Sequence, residues 1–195
     1  MGELVLVRHG ETEWSRSGQH TSYTDLPLTP DGEEQARTLA PLLASPNVAR
    51  VLTSPMLRAR QTAKLAGLGR ARVDPDLREW DYGGYEGVTS LDIHRARPDW
   101  DLWRDGVIPG PEGHPGETAA EVGERADRVL ARAEADLADG DVVLVAHAHL
   151  LRVLTARRLG LAPAHGALFQ LATGTVSRLG SEHGYHVLTA WNRLP

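Results

Sequence analysis

The sequence predicts an α/β protein: a three-layer α/β/α sandwich with a mostly parallel mixed sheet and a small insertion of helices and loops over one end. Three observations predict it. Short apolar runs alternate with segments of helical period, the pattern of strands joined by crossover helices. The two clearest strands end in polar, His-bearing loops, Arg8-His9-Gly10 and His147-Ala148-His149. Open α/β sheets place their sites in such loops, beyond the carboxyl ends of strands and near a switch point. The 195 residues fit a single domain, 1–195, with an insertion over about 77–116.

The elements follow in order. Glu3–Val7 is a short apolar run that reads as a buried strand. Residues Ser15–Leu28 have mixed polarity and no period, so a long loop is expected. Thr29-Pro30 is a helix start, with Thr as N-cap and Pro in the first turn, and Ala36, Leu39, Ala40 and Leu43 continue it. Arg50–Thr53 reads as a second strand. Ser54-Pro55 opens a second helix through Met56, Ala59, Thr62, Ala63 and Ala66, and Ala71–Val73 forms a third strand. From Leu77 to Gly116 the period breaks down amid Gly, Pro and Trp, with short helices expected over Ser90–Arg97 and Pro98–Asp105. Glu117–Leu137 is a long helix, with Val122, Ala126, Val129, Leu130 and Ala133 on one side. Asp141–Ala146 holds the best buried strand, and Leu150–Leu159 the helix after it. Strands over Leu168–Ala172, Thr175–Leu179 and Tyr185–Trp191 finish the chain.

Composition excludes several function classes. There is no cysteine, so disulfides, thiolate metal sites and cysteine nucleophiles are ruled out. The net charge of −5, without a basic run, argues against nucleic-acid binding. No apolar run approaches the roughly 20 residues a bilayer needs. The N-terminal segment lacks a signal peptide's basic region and cleavage site, so a cytoplasmic location is expected. Lys64 is the only lysine, so nearly all positive charge is guanidinium.

Four segments carry candidate chemistry. In Arg8-His9-Gly10-Glu11-Thr12 an Arg precedes the His and a Gly follows it, a compact anion-facing turn in which Gly allows close backbone approach. Ser54-Pro55-Met56-Leu57-Arg58-Ala59-Arg60-Gln61-Thr62 places Arg58 in a first helical turn. It reads either as a phosphate-binding fork beside free helix N–H groups or as a solvated helix arginine. Leu77–Gly87 holds three carboxylates and three aromatics, suited to a cleft wall or to an aromatic packing loop. Apolar neighbours raise a carboxyl pKa and make a general acid. His147-Ala148-His149-Leu150-Leu151-Arg152 opens a helix, with His147 meeting a ligand or capping the helix. A zinc site of His9, His147 and His149 is the remaining alternative, opposed by the charges of Arg8 and Arg58.

Taken in order, Arg8-His9-Gly10-Glu11, the Ser-Pro-x-x-Arg-x-x-Gln-Thr segment from Ser54, the Leu-x-Glu-x-x-x-Gly loop from Leu77 and the late Ala146-His147 resemble the histidine phosphatase superfamily, the phosphoglycerate mutase-like family. The resemblance covers essentially the whole chain. It implies that His9 is the nucleophile and becomes a phosphohistidine. It further implies that Arg8, Arg58 and His147 form the phosphate pocket and that Glu79 gives a proton to the leaving alkoxide. Neutral imidazole then attacks phosphorus in line while guanidiniums meet the charge on the equatorial oxygens, with no metal or other cofactor.

Departures from the family pattern favour a phosphatase over a mutase. The late motif carries Ala148 where many members have Gly, Ser15 stands where the mutases resemble one another in having Asn, and the loop after Glu79 reads Trp80-Asp81-Tyr82 with no Arg. The mutases also have a longer tail guarding the phosphoenzyme. The stretch from Trp14 to Thr29 is similar to a subgroup of sedoheptulose-bisphosphatase-like enzymes and broad acid phosphatases. Gln19, His20, Thr21, Tyr82 and Ala148 are then expected to line the substrate. Arg152, five positions after His147, reads equally as a contact to a second phosphate or as a structural helix residue. The expected activity is metal-independent hydrolysis of phosphomonoesters of small metabolites, sugar phosphates among them. A phosphoglycerate mutase, a protein phosphatase and a non-catalytic phosphate-binding regulatory module are the alternatives.

Overall fold

The computed structural model describes residues 2–45 and 47–195. Six strands form one mixed sheet in the order β3-β2-β4-β1-β5-β6. They are β1 (Leu4–Arg8), β2 (Val48–Thr53), β3 (Arg72–Val73), β4 (Asp141–Ala146), β5 (Val176–Glu182) and β6 (Tyr185–Arg193). The first four run parallel; β5 runs antiparallel to β1, and β6 antiparallel to β5. The α/β architecture expected from the alternation is the one observed.

The period of two along β1 and β4 builds the layers. Leu4, Leu6, Val142, Leu144 and Ala146 face one core, which they share with Val122, Ala126, Val129 and Ala133 of α7 (Ala119–Asp136) and Leu150, Leu151 and Leu154 of α8 (Ala148–Arg158). Val5, Val7, Val143 and Val145 face the other core, with Leu39, Leu43, Ala59 and Ala63. Those last four side chains lie on and around α2 (Pro30–Thr38), α3 (Ala40–Leu43) and α4 (Leu57–Leu65). Apolar residues alternate to both faces, so both faces need a helical layer.

Local signals explain most boundaries. Thr29 caps α2 by accepting from the Gly32 N–H, and Thr118 caps α7 in a reciprocal capping box with Glu121. The helix expected to run on to Leu43 is divided at Leu39, two residues before Pro41, into α2 and α3. Three expectations are corrected. The Ser15–Leu28 loop begins inside a short helix, α1 (Glu13–Ser17), which a Thr12–Ser15 capping box starts. No strand forms over Leu168–Ala172, because its backbone serves side chains instead of a ladder: the Gln170 carbonyl accepts from Trp191 Nε1, the Leu171 carbonyl from Arg8, and the Ala172 N–H donates to Asn192. The helix expected from Pro98 is a single turn, α6 (Leu102–Asp105), capped by Asp101 and preceded by α5 (Ser90–Ala96). Among the described residues, no helix is long and apolar enough to cross a membrane.

Candidate active site

Strands β1 and β4 are parallel neighbours, and Arg8 pairs with Ala146 at their carboxyl ends. The chain leaves β1 toward α2 on one face and β4 toward α8 on the other, so a crevice opens between them. A cleft of about 180 Å³ lies there, lined by Arg8, His9, Ser15, Gly18, Gln19, His20, Thr21, Glu79, Tyr82, Ser90, Ala148 and His149. A larger hollow of about 550 Å³ sits at the opposite end of β2, lined by residues 43–45, 48–51, 67–70 and 72, so size does not mark the site.

His9 follows β1 directly and is buried. Its backbone is pinned on both sides: its N–H donates to the Ala146 carbonyl, and its carbonyl accepts from the Gly174 N–H. The Gly10 N–H donates to Thr62 Oγ1 at 3.0 Å, so the last residue of the Ser-Pro motif anchors the first motif. The ring Nδ1 lies 2.7 Å from the Gly10 carbonyl. A carbonyl only accepts, so Nδ1 carries the proton and Nε2 keeps its lone pair. Burial first, then the charges of Arg58 and Arg8, hold the His9 pKa well below 6.5, so the ring is neutral. A Cβ on Gly10 would fall 2.2 Å from the Gly32 carbonyl oxygen, so only glycine lets this turn sit against the start of α2.

Two guanidiniums flank this ring in different ways. Arg8 donates through Nη1 to the Leu171 carbonyl, while its Nε is buried with no protein partner. It is one of two such side-chain atoms among the described residues, the other being Arg158 Nε. A buried unpaired donor is costly. Arg8 itself lines the cleft, and its Nη2, which has no partner among the described residues and is not sealed, is the donor open to an anion. Arg58 is fully buried in the first turn of α4. Its Nη1 donates to the Thr24 carbonyl, its Nη2 to those of Thr21 and Ser22, and its Nε to His147 Nδ1 at 3.2 Å. Four of its five N–H groups are engaged, leaving one on Nη1.

His147, fully buried at the end of β4, has both ring nitrogens engaged, Nδ1 with Arg58 and Nε2 with Ser54 Oγ at 2.7 Å. Its ring centroid is 5.1 Å from that of His9, and burial together with Arg58 holds its pKa well below 6.5. Here it orients Arg58 and packs on the His9 ring.

Glu79 stands on the opposite wall as the cap of α8. Its Oε1 accepts from the Trp80 and Leu150 N–H groups at 2.9 and 2.8 Å, and its Oε2 from the His149 N–H at 3.0 Å. Oε2, with one donor against two on Oε1, therefore keeps more free lone-pair capacity toward the cleft. Arg125 on α7 keeps the Glu79 backbone in place, donating to the carbonyls of Asp76, Arg78 and Glu79 while pairing with Glu117.

Of the expected substrate contacts, Gln19, His20, Thr21, Tyr82 and Ala148 all line the cleft. Arg152 does not. Its Nε and Nη2 donate to the carbonyls of Gly166 and Ala167, and its guanidinium lies 4.7 Å from the Trp103 ring centroid. Three residues in the site had no role assigned from sequence. His149, considered only as a metal ligand, lines the cleft and meets the Tyr82 hydroxyl at 2.6 Å. Glu86 accepts from the N–H groups of Ser22 and Thr24 and from Ser22 Oγ, and so shapes the loop whose carbonyls hold Arg58. Asp25 accepts from the Leu57 N–H at the start of α4. Glu86 does belong to the carboxylate-rich loop after Leu77, which was the available signal; Asp25 had none.

The family described as the histidine phosphatase superfamily (branch 1) matches residues 4–194. An acid phosphatase of Mycobacterium tuberculosis is 40% identical, over 95% of this chain and 89% of its own. A sedoheptulose 1,7-bisphosphatase of Saccharomyces cerevisiae is 38% identical, over 80% of this chain and 67% of its own. A solved structure of an open reading frame product from Mycobacterium tuberculosis superposes with a TM-score of 0.91 at 38% identity, covering 99% of this chain and 98% of that one.

Proposed function

The chain belongs to the histidine phosphatase superfamily and is a phosphomonoesterase; from that premise we propose that it hydrolyses phosphomonoesters of small metabolites without a metal, through a phosphohistidine on His9. The observation that carries the reading is the His9 tautomer. The 2.7 Å contact to the Gly10 carbonyl fixes the proton on Nδ1 and leaves Nε2 as a neutral nucleophile beside two guanidiniums. One domain spanning 1–195, with residues 77–116 as the insertion covering the site, is part of the same proposal.

In the first step Nε2 attacks phosphorus and the ester P–O bond breaks. Charge on the equatorial oxygens is met by Arg8 Nη2 and by the remaining Nη1 N–H of Arg58. The proton on Glu79 Oε2 passes to the leaving oxygen. The phosphorylated ring is cationic, and the Nδ1–H bond to Gly10 supports that charge. In the second step Glu79 takes a proton from water, the hydroxide attacks phosphorus, and the P–N bond breaks. Phosphate leaves and Nε2 regains its lone pair.

Trapping by quenching into alkaline detergent tests this directly. Enzyme mixed with a ³²P-labelled ester in excess EDTA should retain a label that is labile in acid and stable in base. His9→Ala should lose both the label and turnover, by roughly 10⁴-fold or more in kcat. Label on a residue other than His9, or turnover that EDTA abolishes and zinc restores, would overturn the reading.

A further inference from the structure

We infer that His20 selects the alcohol half of the substrate, its Nε2 accepting a hydrogen bond from a hydroxyl of the leaving group. The site therefore takes hydroxylated, uncharged leaving groups, polyols and sugars, over those that carry a carboxylate. The inference rests on the phosphatase reading above and deepens it.

The polarity of the His20 ring is set by the backbone. Its Nδ1 lies 2.6 Å from the Val88 carbonyl, so Nδ1 carries the proton and Nε2 is an acceptor. Among the described residues no protein group meets Nε2, which is not sealed in the interior, and the residue lines the cleft. Burial lowers the His20 pKa, which keeps the ring neutral and the acceptor in place. The ring packs on Tyr82 with centroids 4.7 Å apart and lies within reach of the Glu79 and Glu86 charges. That is the proton donor's side of the cleft, where the leaving alcohol sits.

The neighbours on this side are already engaged. The Gln19 amide donates to the Gly87 carbonyl and accepts from Ser17, Thr21 Oγ1 donates to the Gln19 carbonyl, and the Tyr82 hydroxyl meets His149. A substrate hydroxyl thus finds a fixed acceptor in His20. A substrate carboxylate finds the Glu79 carboxylate and no cation to spare: among the described residues Arg8, assigned to the phosphoryl group, is the only Arg or Lys lining the cleft, and Arg152 is turned to the 166–167 carbonyls. Sites built to hydrogen-bond a hydroxyl reject the analogue lacking it, because a buried group is left unpaired.

Three esters of one chain length separate these terms: glycerol 3-phosphate, n-propyl phosphate and 3-phosphoglycerate. The wild type should favour glycerol 3-phosphate over propyl phosphate by about tenfold or more in kcat/KM, and over 3-phosphoglycerate by at least about as much. His20→Phe and His20→Leu, each checked for folding by thermal melting, should bring the glycerol-to-propyl ratio near one. His20→Gln, which keeps an acceptor, should retain a preference. Each ratio is internal to one enzyme, so a general loss of activity cancels. An unchanged ratio in folded His20→Phe or His20→Leu, or a wild type that prefers propyl phosphate or 3-phosphoglycerate, overturns this inference alone. A wild type inert on all three and on p-nitrophenyl phosphate overturns the phosphatase reading and this inference with it.

Discussion

At one end of the cleft, His9, Arg58 and His147 hang from the ends of β1 and β4 and the first turn of α4. At the other end, Gln19, His20 and Tyr82 come from loops, and Glu79 reaches over from a loop to cap α8. The first end, proposed to hold the phosphoryl group, rests on both cores and almost every donor has a partner, although Arg58 also leans on carbonyls of the 21–24 loop. The leaving-group end is held mainly by side chain-to-backbone bonds between the 19–24 loop and the 77–89 segment. The chemistry at phosphorus is the same for any ester, so it suits rigid strand ends. The alcohol varies, so its contacts sit on loops that can change without disturbing the sheet.

The strongest probe of this contrast is Glu79→Gln, which acts on the leaving group and not on phosphate binding. It should cut kcat/KM for alkyl phosphates by about 10²–10⁴-fold and for p-nitrophenyl phosphate far less, since nitrophenolate leaves without a proton. Equal losses on both esters would place Glu79 in the phosphate machinery and erase the distinction between the ends.

Glu86→Gln should give a smaller effect in the other direction. It weakens the acceptor for Ser22 and Thr24 and loosens the carbonyls that hold Arg58. A loss of roughly tenfold, shared alike by alkyl and p-nitrophenyl phosphates, is expected because the damage reaches the phosphate end. A loss confined to alkyl phosphates would mean that Glu86 serves the leaving group instead.

The smallest expected effect is on stability. His9, His147 and His149 are buried, and desolvation, the first cause for each, holds their folded pKa values well below 6.5. Below about pH 6.5 the unfolded chain takes up protons at these rings and the folded protein does not. Stability must therefore fall as pH falls. Between pH 7.5 and 5.5 the melting temperature should drop by several degrees, at about 2–4 °C per kcal/mol for a chain of this size. That window lies above the range in which carboxylates such as Glu11 and Asp76 release their own, acid-side contributions. A flat melting curve across it would show that the phosphate-end rings accept protons while folded.

Local patterns made much of this readable. The alternation of Leu4 and Leu6 against Val5 and Val7 declares a strand buried on both faces, and Thr29 announces its helix by side-chain chemistry confined to three residues. The motif residues were readable because Arg-His-Gly and Ser-Pro-x-x-Arg are contiguous patterns. Arg152 shows the opposite case. It occupies a position on α8 compatible with a ligand contact, yet its donors go to carbonyls fourteen and fifteen residues on, in a turn whose path the helix does not encode. The apolar Leu168–Ala172 run failed as a strand for the same reason, since Arg8, Trp191 and Asn192 capture its backbone from remote parts of the chain.

Residue order therefore settled the α/β class and the two cores and named the candidate reactive side chains, because periodicity, capping and short motifs act within a few residues. The fold decided which ring nitrogen holds the proton, which arginine donors stay free and which histidine presents an open acceptor to the cleft. Those depend on carbonyls such as Gly10, Thr24 and Val88 standing at hydrogen-bond distance, and two of the three meet their partners only once distant segments have packed.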